Sequence, residues 1–90
     1  MLKVMLVDDE PFIMQGLSVL IDWNDLGYEI VKCASDGGEA YKYLKEEQVD
    51  LIIADISMPV MSGLELLKRI REEKISDAYF VILSGYNDYS

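Results

Sequence analysis

Four short apolar runs, separated by stretches of helical period and each followed by polar residues, constrain this chain more than any other feature. Lys3–Val7 runs into Asp8-Asp9-Glu10, and Ile30–Ala34 is followed by Asp36-Gly37-Gly38. Leu51-Ile52-Ile53-Ala54, the most hydrophobic stretch, stops at Asp55, and Tyr79–Leu83 leads into Ser84-Gly85. Between the first two, Pro11 suits a first helical turn, and Phe12, Ile13, Gly16, Leu17, Leu20 and Ile21 recur at helical spacing. Asp22-Trp23-Asn24-Asp25 and Gly27 then break that pattern. Ala40, Tyr43 and Leu44 mark the apolar stripe of a second helix. A third has Ser62 as its cap, Glu65 three residues on to complete a capping box, and Leu64, Leu67 and Ile70 as its expected core face.

Strands alternating with helices imply βαβ units and hence a parallel sheet covered by helices. Continuous apolar runs agree, because parallel strands are buried on both faces. The expected order is β1-α1-β2-α2-β3-α3-β4, an α/β fold of the flavodoxin-like kind. In such a sheet the strand C-termini share one edge, and ligands bind where the connections reverse, between the first and third strands. Asp8 and Asp9 follow the first strand, Asp55 the third and Ser84 the fourth. Three carboxylates and a hydroxyl are thus predicted to converge from distant parts of the chain.

Clustered carboxylates repel one another unless a cation relieves them. Mg²⁺ suits this role, being a hard ion that takes oxygen ligands and keeps waters for a substrate phosphate. The chain has no histidine and a single cysteine, Cys33, which argues against zinc or copper. A carboxylate beside Mg²⁺ can attack a phosphoryl group, and a nearby hydroxyl such as that of Ser84 can hydrogen-bond a phosphoryl oxygen.

Composition narrows the remaining choices. Ninety residues make at most one domain, and no apolar run approaches the ~20 residues that cross a bilayer. The start runs straight from Met1–Val7 into acids, so neither a secretory signal nor a membrane span is expected. Cys33 in an apolar stretch reads as a buried thiol, in keeping with a reducing cytoplasm. A net charge of −9 argues against direct nucleic-acid binding, which rests on Lys and Arg neutralising phosphates.

The acidic pair after the first strand, the Asp after the third with Met58-Pro59 and Gly63 beyond it, and the Ser after the fourth resemble receiver domains of two-component response regulators. That resemblance spans essentially all of residues 1–90. It implies that Asp55 accepts the phosphoryl group of a histidine kinase and that Asp8 and Asp9 hold Mg²⁺, Asp9 more directly. It further implies that Asp55 and the backbone carbonyl of Ser57 complete the metal site and that Ser84 is the switch hydroxyl. Such domains are phosphoacceptors rather than enzymes, and they control a downstream, usually transcriptional, output. Trp23-Asn24-Asp25-Leu26-Gly27-Tyr28 and Ser84-Gly85-Tyr86-Asn87-Asp88-Tyr89 resemble receivers joined to AraC-type DNA-binding domains.

Two family features have no counterpart. Receivers continue through a helix, a fifth strand bearing a lysine and an aromatic residue, and a fifth helix, whereas this sequence ends at Ser90. Lys74, placed before the fourth strand, cannot replace that lysine. The expectation is therefore a single partial receiver over 1–90, impaired in phosphorylation and prone to self-association through an uncovered β4 edge and α1 face. Two other classes compete. A Mg²⁺-dependent aspartyl phosphatase resembles a first strand ending Asp-x-Asp, and would steadily release phosphate. A pseudo-receiver would never take phosphate at all.

Overall fold

The computed structural model describes residues 1–83. Over them the chain runs β1 (Leu2–Val7), α1 (Pro11–Leu20), β2 (Tyr28–Ala34), α2 (Gly37–Glu46), β3 (Leu51–Asp55), α3 (Gly63–Glu72) and β4 (Tyr79–Leu83). All strand pairs are parallel, in the order β2-β1-β3-β4. The chain leaves β1 towards β2, then crosses back over β1 to lay down β3 and β4. Right-handed crossovers therefore put α1 on one face and α2 and α3 on the other. The flavodoxin-like α/β reading holds.

Local chemistry explains where the helices begin. Asp36 caps α2 by accepting the Glu39 N–H at 2.8 Å. Ser62 and Glu65 form the expected capping box at the start of α3, with reciprocal bonds of 3.1 and 2.9 Å, and Arg69 and Arg71 complement the dipole of its last turn. Helix α1 has Pro11 at its first position but no side-chain cap.

The sheet separates two apolar clusters. On the α2–α3 face, Met5, Val7, Ile52 and Ala54 pack with Ala40, Leu44, Met61, Leu66 and Ile70. On the α1 face, Val4, Leu6 and Trp23 are buried, with Met14, Leu17, Ile21, Tyr28 and Ile30 around them. Trp23 is fixed there by donating its Nε1–H to the Leu17 carbonyl at 2.9 Å and by edge-on contact with Tyr28. Gly27, at φ +86°, makes the turn that follows.

Four expectations need correction. Burial on both faces is complete only along Val4–Val7 of β1; β2 and β4 are partly exposed, and β3 buries Ile52 and Ala54 but only part of Leu51 and Ile53. Cys33 is exposed rather than buried. It pairs in register with Leu6, so it lies on the α1 face of an outer strand. Helix α3 buries Leu66 and Ile70 while Leu64 is exposed. Its rotation is set by Gly63, which is buried against the end of β3, and this brings positions three and seven residues on to the core. Helix α1 is uncharged along its length, and Gln15 and Ser18, its only polar side chains, mark too narrow a side to fix its rotation. Met14 and Leu17, with Ile21 just beyond, make the contact, while Phe12, Ile13 and Leu20 are exposed.

Candidate functional site

The site follows from strand register. Val7 pairs with Ala54, so the next residues, Asp8 and Asp55, lie side by side at the strand ends. Asp8 continues the ladder for one more bond, donating its N–H to the Ala34 carbonyl at 3.0 Å. Its Oδ1 accepts the Glu10 N–H at 2.8 Å, which turns the chain towards α1. Asp9 follows on the exposed side. Asp8, Asp9 and Asp55 each present a carboxylate oxygen within 4.8 Å of the others.

Asp8 is 5% exposed, which is unusual for a carboxylate without a cation partner. The ion pairs among the described residues, Lys32–Glu39 and Arg69–Glu73, lie elsewhere. Burial pushes the Asp8 carboxyl above the ordinary aspartate range; the Glu10 N–H opposes that shift, and the neighbouring Asp55, Asp9 and Glu10 charges add to it. Three hard oxygen donors, one of them buried against like charge, suit a small divalent cation such as Mg²⁺. The donor set does not suit a soft metal.

The segment after Asp55 is held tightly. A Cβ at Gly63 would fall inside contact distance of the Asp55 carbonyl oxygen and 3.2 Å from its carbonyl carbon. Glycine there lets α3 start directly against the end of β3. The Gly63 N–H donates to the Ile56 carbonyl at 3.1 Å, and the Ile56 N–H donates to the Leu83 carbonyl at 3.3 Å. Ser57 is exposed in this loop, two residues beyond Asp55, while Met61 is buried. Ser84 lies outside the described residues.

Sequence reading brought Asp8, Asp9 and Asp55 together but missed two features. Val60 adopts φ +69°, a left-handed conformation that β-branched residues seldom take and that no sequence signal announces. Gly37, read as a turn residue at a helix start, is buried against the loop. Its signal was available, since one of two consecutive glycines in a helix demands a reason other than helix formation.

Fold and site together define a doubly wound α/β protein with an acidic, cation-ready site at the switch point of its sheet. The profile of the family described as "Response regulator receiver domain" matches residues 4–90. The chain is 37% identical over 89 residues to the uncharacterized transcriptional regulatory protein YesN of Bacillus subtilis, covering 99% of this chain and 24% of that protein. It is similar in structure to the REC domain of AraT, a response regulator from Geobacillus stearothermophilus, with TM-score 0.80, 38% identity, and coverage of 90% of this chain and 62% of that one. A two-component transcriptional regulator AraC from Clostridium phytofermentans gives TM-score 0.85 at 31% identity, over 98% of this chain and 67% of that one. The chain belongs to the response-regulator receiver family. It spans about a quarter to a third of the length of the curated relatives it matches.

Proposed function

We propose that this chain is the phosphoacceptor of a two-component pathway, with Asp55 as the residue that takes the phosphoryl group. The observation that carries this reading is the convergence of Asp8, Asp9 and Asp55 within 4.8 Å at the switch point of the sheet. Mg²⁺ bound by Asp8, Asp9, Asp55 and the Ser57 carbonyl would screen the charge between carboxylate and phosphate. An Asp55 oxygen forms the new bond to phosphorus as the bond from phosphorus to the kinase's imidazole nitrogen breaks. The electron pair leaves with that nitrogen, which takes up a proton. Ser84 donates its hydroxyl to a phosphoryl oxygen of the product.

The donor is a histidine kinase, and the chain is a substrate that stores the group rather than a turning-over enzyme. The relatives named as transcriptional regulators support a transcriptional output. This segment, at net charge −9, would reach it through protein contact rather than by touching DNA. The reading places it in the cytoplasm; no helix among the described residues is long and apolar enough to cross a membrane. The ninety-residue chain itself is proposed to self-associate, because Tyr79 and Val81 on β4 and Phe12, Val19 and Leu20 on α1 are exposed. Light scattering that finds only monomer at high concentration would remove that part.

Mass spectrometry after incubation with acetyl phosphate and Mg²⁺ tests the assignment. The expected adduct lies on Asp55 and disappears in Asp55→Asn. Labelling of Asp8 or Asp9 would overturn it, and steady release of inorganic phosphate from a generic ester would favour the phosphatase.

A further inference from the structure

The loop that joins Asp55 to α3 packs against the start of α2, and its backbone comes closest at Gly37. Gly37 and Gly38 both lie in the first turn of α2, and neither has a positive φ, so backbone conformation does not require either to be glycine. Alanine would serve the helix better at both positions. Their surroundings differ. A Cβ on Gly38 would meet only side-chain atoms, the Val60 Cγ1 at 3.1 Å and, at 3.2 Å, the Asp36 Oδ1 that caps the Glu39 N–H; a shift of a few tenths of an ångström at each would relieve it. A Cβ on Gly37 would fall inside contact distance of the Met61 carbonyl oxygen, 2.6 Å from the Met61 Cβ and 3.0 Å from its carbonyl carbon. The carbonyl atoms belong to the loop's own backbone, the Cβ moves only with it, and Met61 is buried at 9% exposure, so the loop itself would have to move.

The loop therefore has two close seats. Gly63 admits the Asp55 carbonyl at its base, and Gly37 admits the Met61 backbone at its far end. Between them run Ile56, Ser57 and Met58, with Val60 held at φ +69° although the residue is 82% exposed. A strained residue with little packing of its own persists only where its surroundings over-determine it. The buried Met61 seat supplies that constraint.

The geometry points to Gly37 as a positioning residue for the metal site: by admitting the Met61 backbone against α2 it fixes the loop that carries Ser57, whose carbonyl the phosphoacceptor reading assigns to the metal. This inference rests on the phosphoacceptor reading above and adds to it a determinant on a different element. Mg²⁺ alone is the probe, titrated calorimetrically into the unmodified chain, Gly37→Ala and Gly38→Ala, with urea unfolding in chelator as the measure of fold. The two alanines make the same change to helix propensity, so Gly38→Ala controls for it. Gly38→Ala is expected to bind Mg²⁺ within about twofold of the unmodified chain. Gly37→Ala is expected to bind at least about tenfold more weakly while still unfolding cooperatively. If Gly37→Ala does not fold in dilute buffer, the series is repeated in trimethylamine N-oxide, which favours compact states, with the Mg²⁺-dependent rise of the urea midpoint as readout. Equal Mg²⁺ affinity in the two alanine variants, in either medium, overturns the inference. A Gly37→Ala chain that stays unfolded even there also overturns it, by assigning Gly37 to packing alone. An unmodified chain that ignores Mg²⁺ instead removes the phosphoacceptor reading beneath it.

Discussion

The two edges of the sheet treat polar groups in opposite ways. At the edge where strands begin, charged side chains are matched by backbone hydrogen-bond partners. The Lys3 N–H donates to Asp50 Oδ2 at 2.7 Å and the Asp50 N–H to the Lys3 carbonyl at 2.8 Å. The Arg71 guanidinium donates to the carbonyls of Ser76 and Ala78, tying the end of α3 to the start of β4. At the edge where strands end, three carboxylates face one another, and among the described residues one hydrogen bond reaches them, from the Glu10 N–H to Asp8. The first edge holds the sheet together. The second stores unfavourable charge that a cation or a protonation event can release, and that is where the chemistry belongs.

The largest test of this contrast is the response to Mg²⁺. If the acidic edge is a metal site formed only on folding, a free Mg²⁺ concentration a hundredfold above Kd raises stability by about 2.7 kcal/mol. Asp9→Ala should remove most of that gain in urea titrations, and melting that is indifferent to Mg²⁺ would erase the distinction between edges. Next in size, Arg71→Ala should destabilise by about 2 kcal/mol through two lost charge-assisted bonds, with Mg²⁺ affinity unchanged. A fall in affinity would mean that the edges are coupled. Asp50→Ala, which removes one exposed bond to the Lys3 N–H, should cost about 0.5–1 kcal/mol by the same measurement.

The smallest effects are in pH, and their signs differ. Asp8 has a folded pKa raised above its ordinary value, chiefly by burial, so the folded state holds more protons and metal-free stability rises as pH falls through that window. Asp8→Asn should therefore stabilise the chain near neutral pH in chelator while weakening Mg²⁺ binding. Glu39 shows the reverse. Bonds from the Ser35 N–H, from Lys32 and from the Ser35 hydroxyl hold it down at about 2, so its contribution is present above ordinary glutamate values and is lost as pH falls towards about 2. That contribution is small, because the Lys32–Glu39 pair is partly exposed and screened. Glu39→Gln should flatten the acid limb of a stability–pH curve, and Asp8→Asn should flatten the limb above it. The same response from both variants would contradict the assignment.

Much of this was legible in the chain itself. The strands, the Ser62–Glu65 box and the convergence of Asp8, Asp9 and Asp55 follow from local pattern and from the rule that parallel strands end on one edge. Helix rotation was less legible. Leu64, Leu66, Leu67 and Ile70 offer two overlapping stripes, and only the contact of Gly63 with the end of β3 selects between them. The Phe12–Ile21 segment, with Gln15 and Ser18 as its only polar side chains, likewise gave too narrow a polar side from which to read its orientation. Cys33 misled because apolar neighbours in sequence do not guarantee cover on the outer face of an end strand. Gly37 escaped notice because its reason is a contact with Met61, a residue remote in sequence.

The placement of Trp23 gives this protein an internal optical reporter. It is the only tryptophan, 8% exposed, and it belongs to the cluster under α1, across the sheet from the Met61–Gly37 seat. Its emission will therefore register loosening of the α1 layer, not loop rearrangement that stays on the other side. An unchanged spectrum on Mg²⁺ addition would confine the response to the acidic edge and the α2–α3 layer. A shifted one would mean that the signal reaches the α1 layer, through the Asp8–Glu10 turn into that helix or through the Val4–Val7 core of β1.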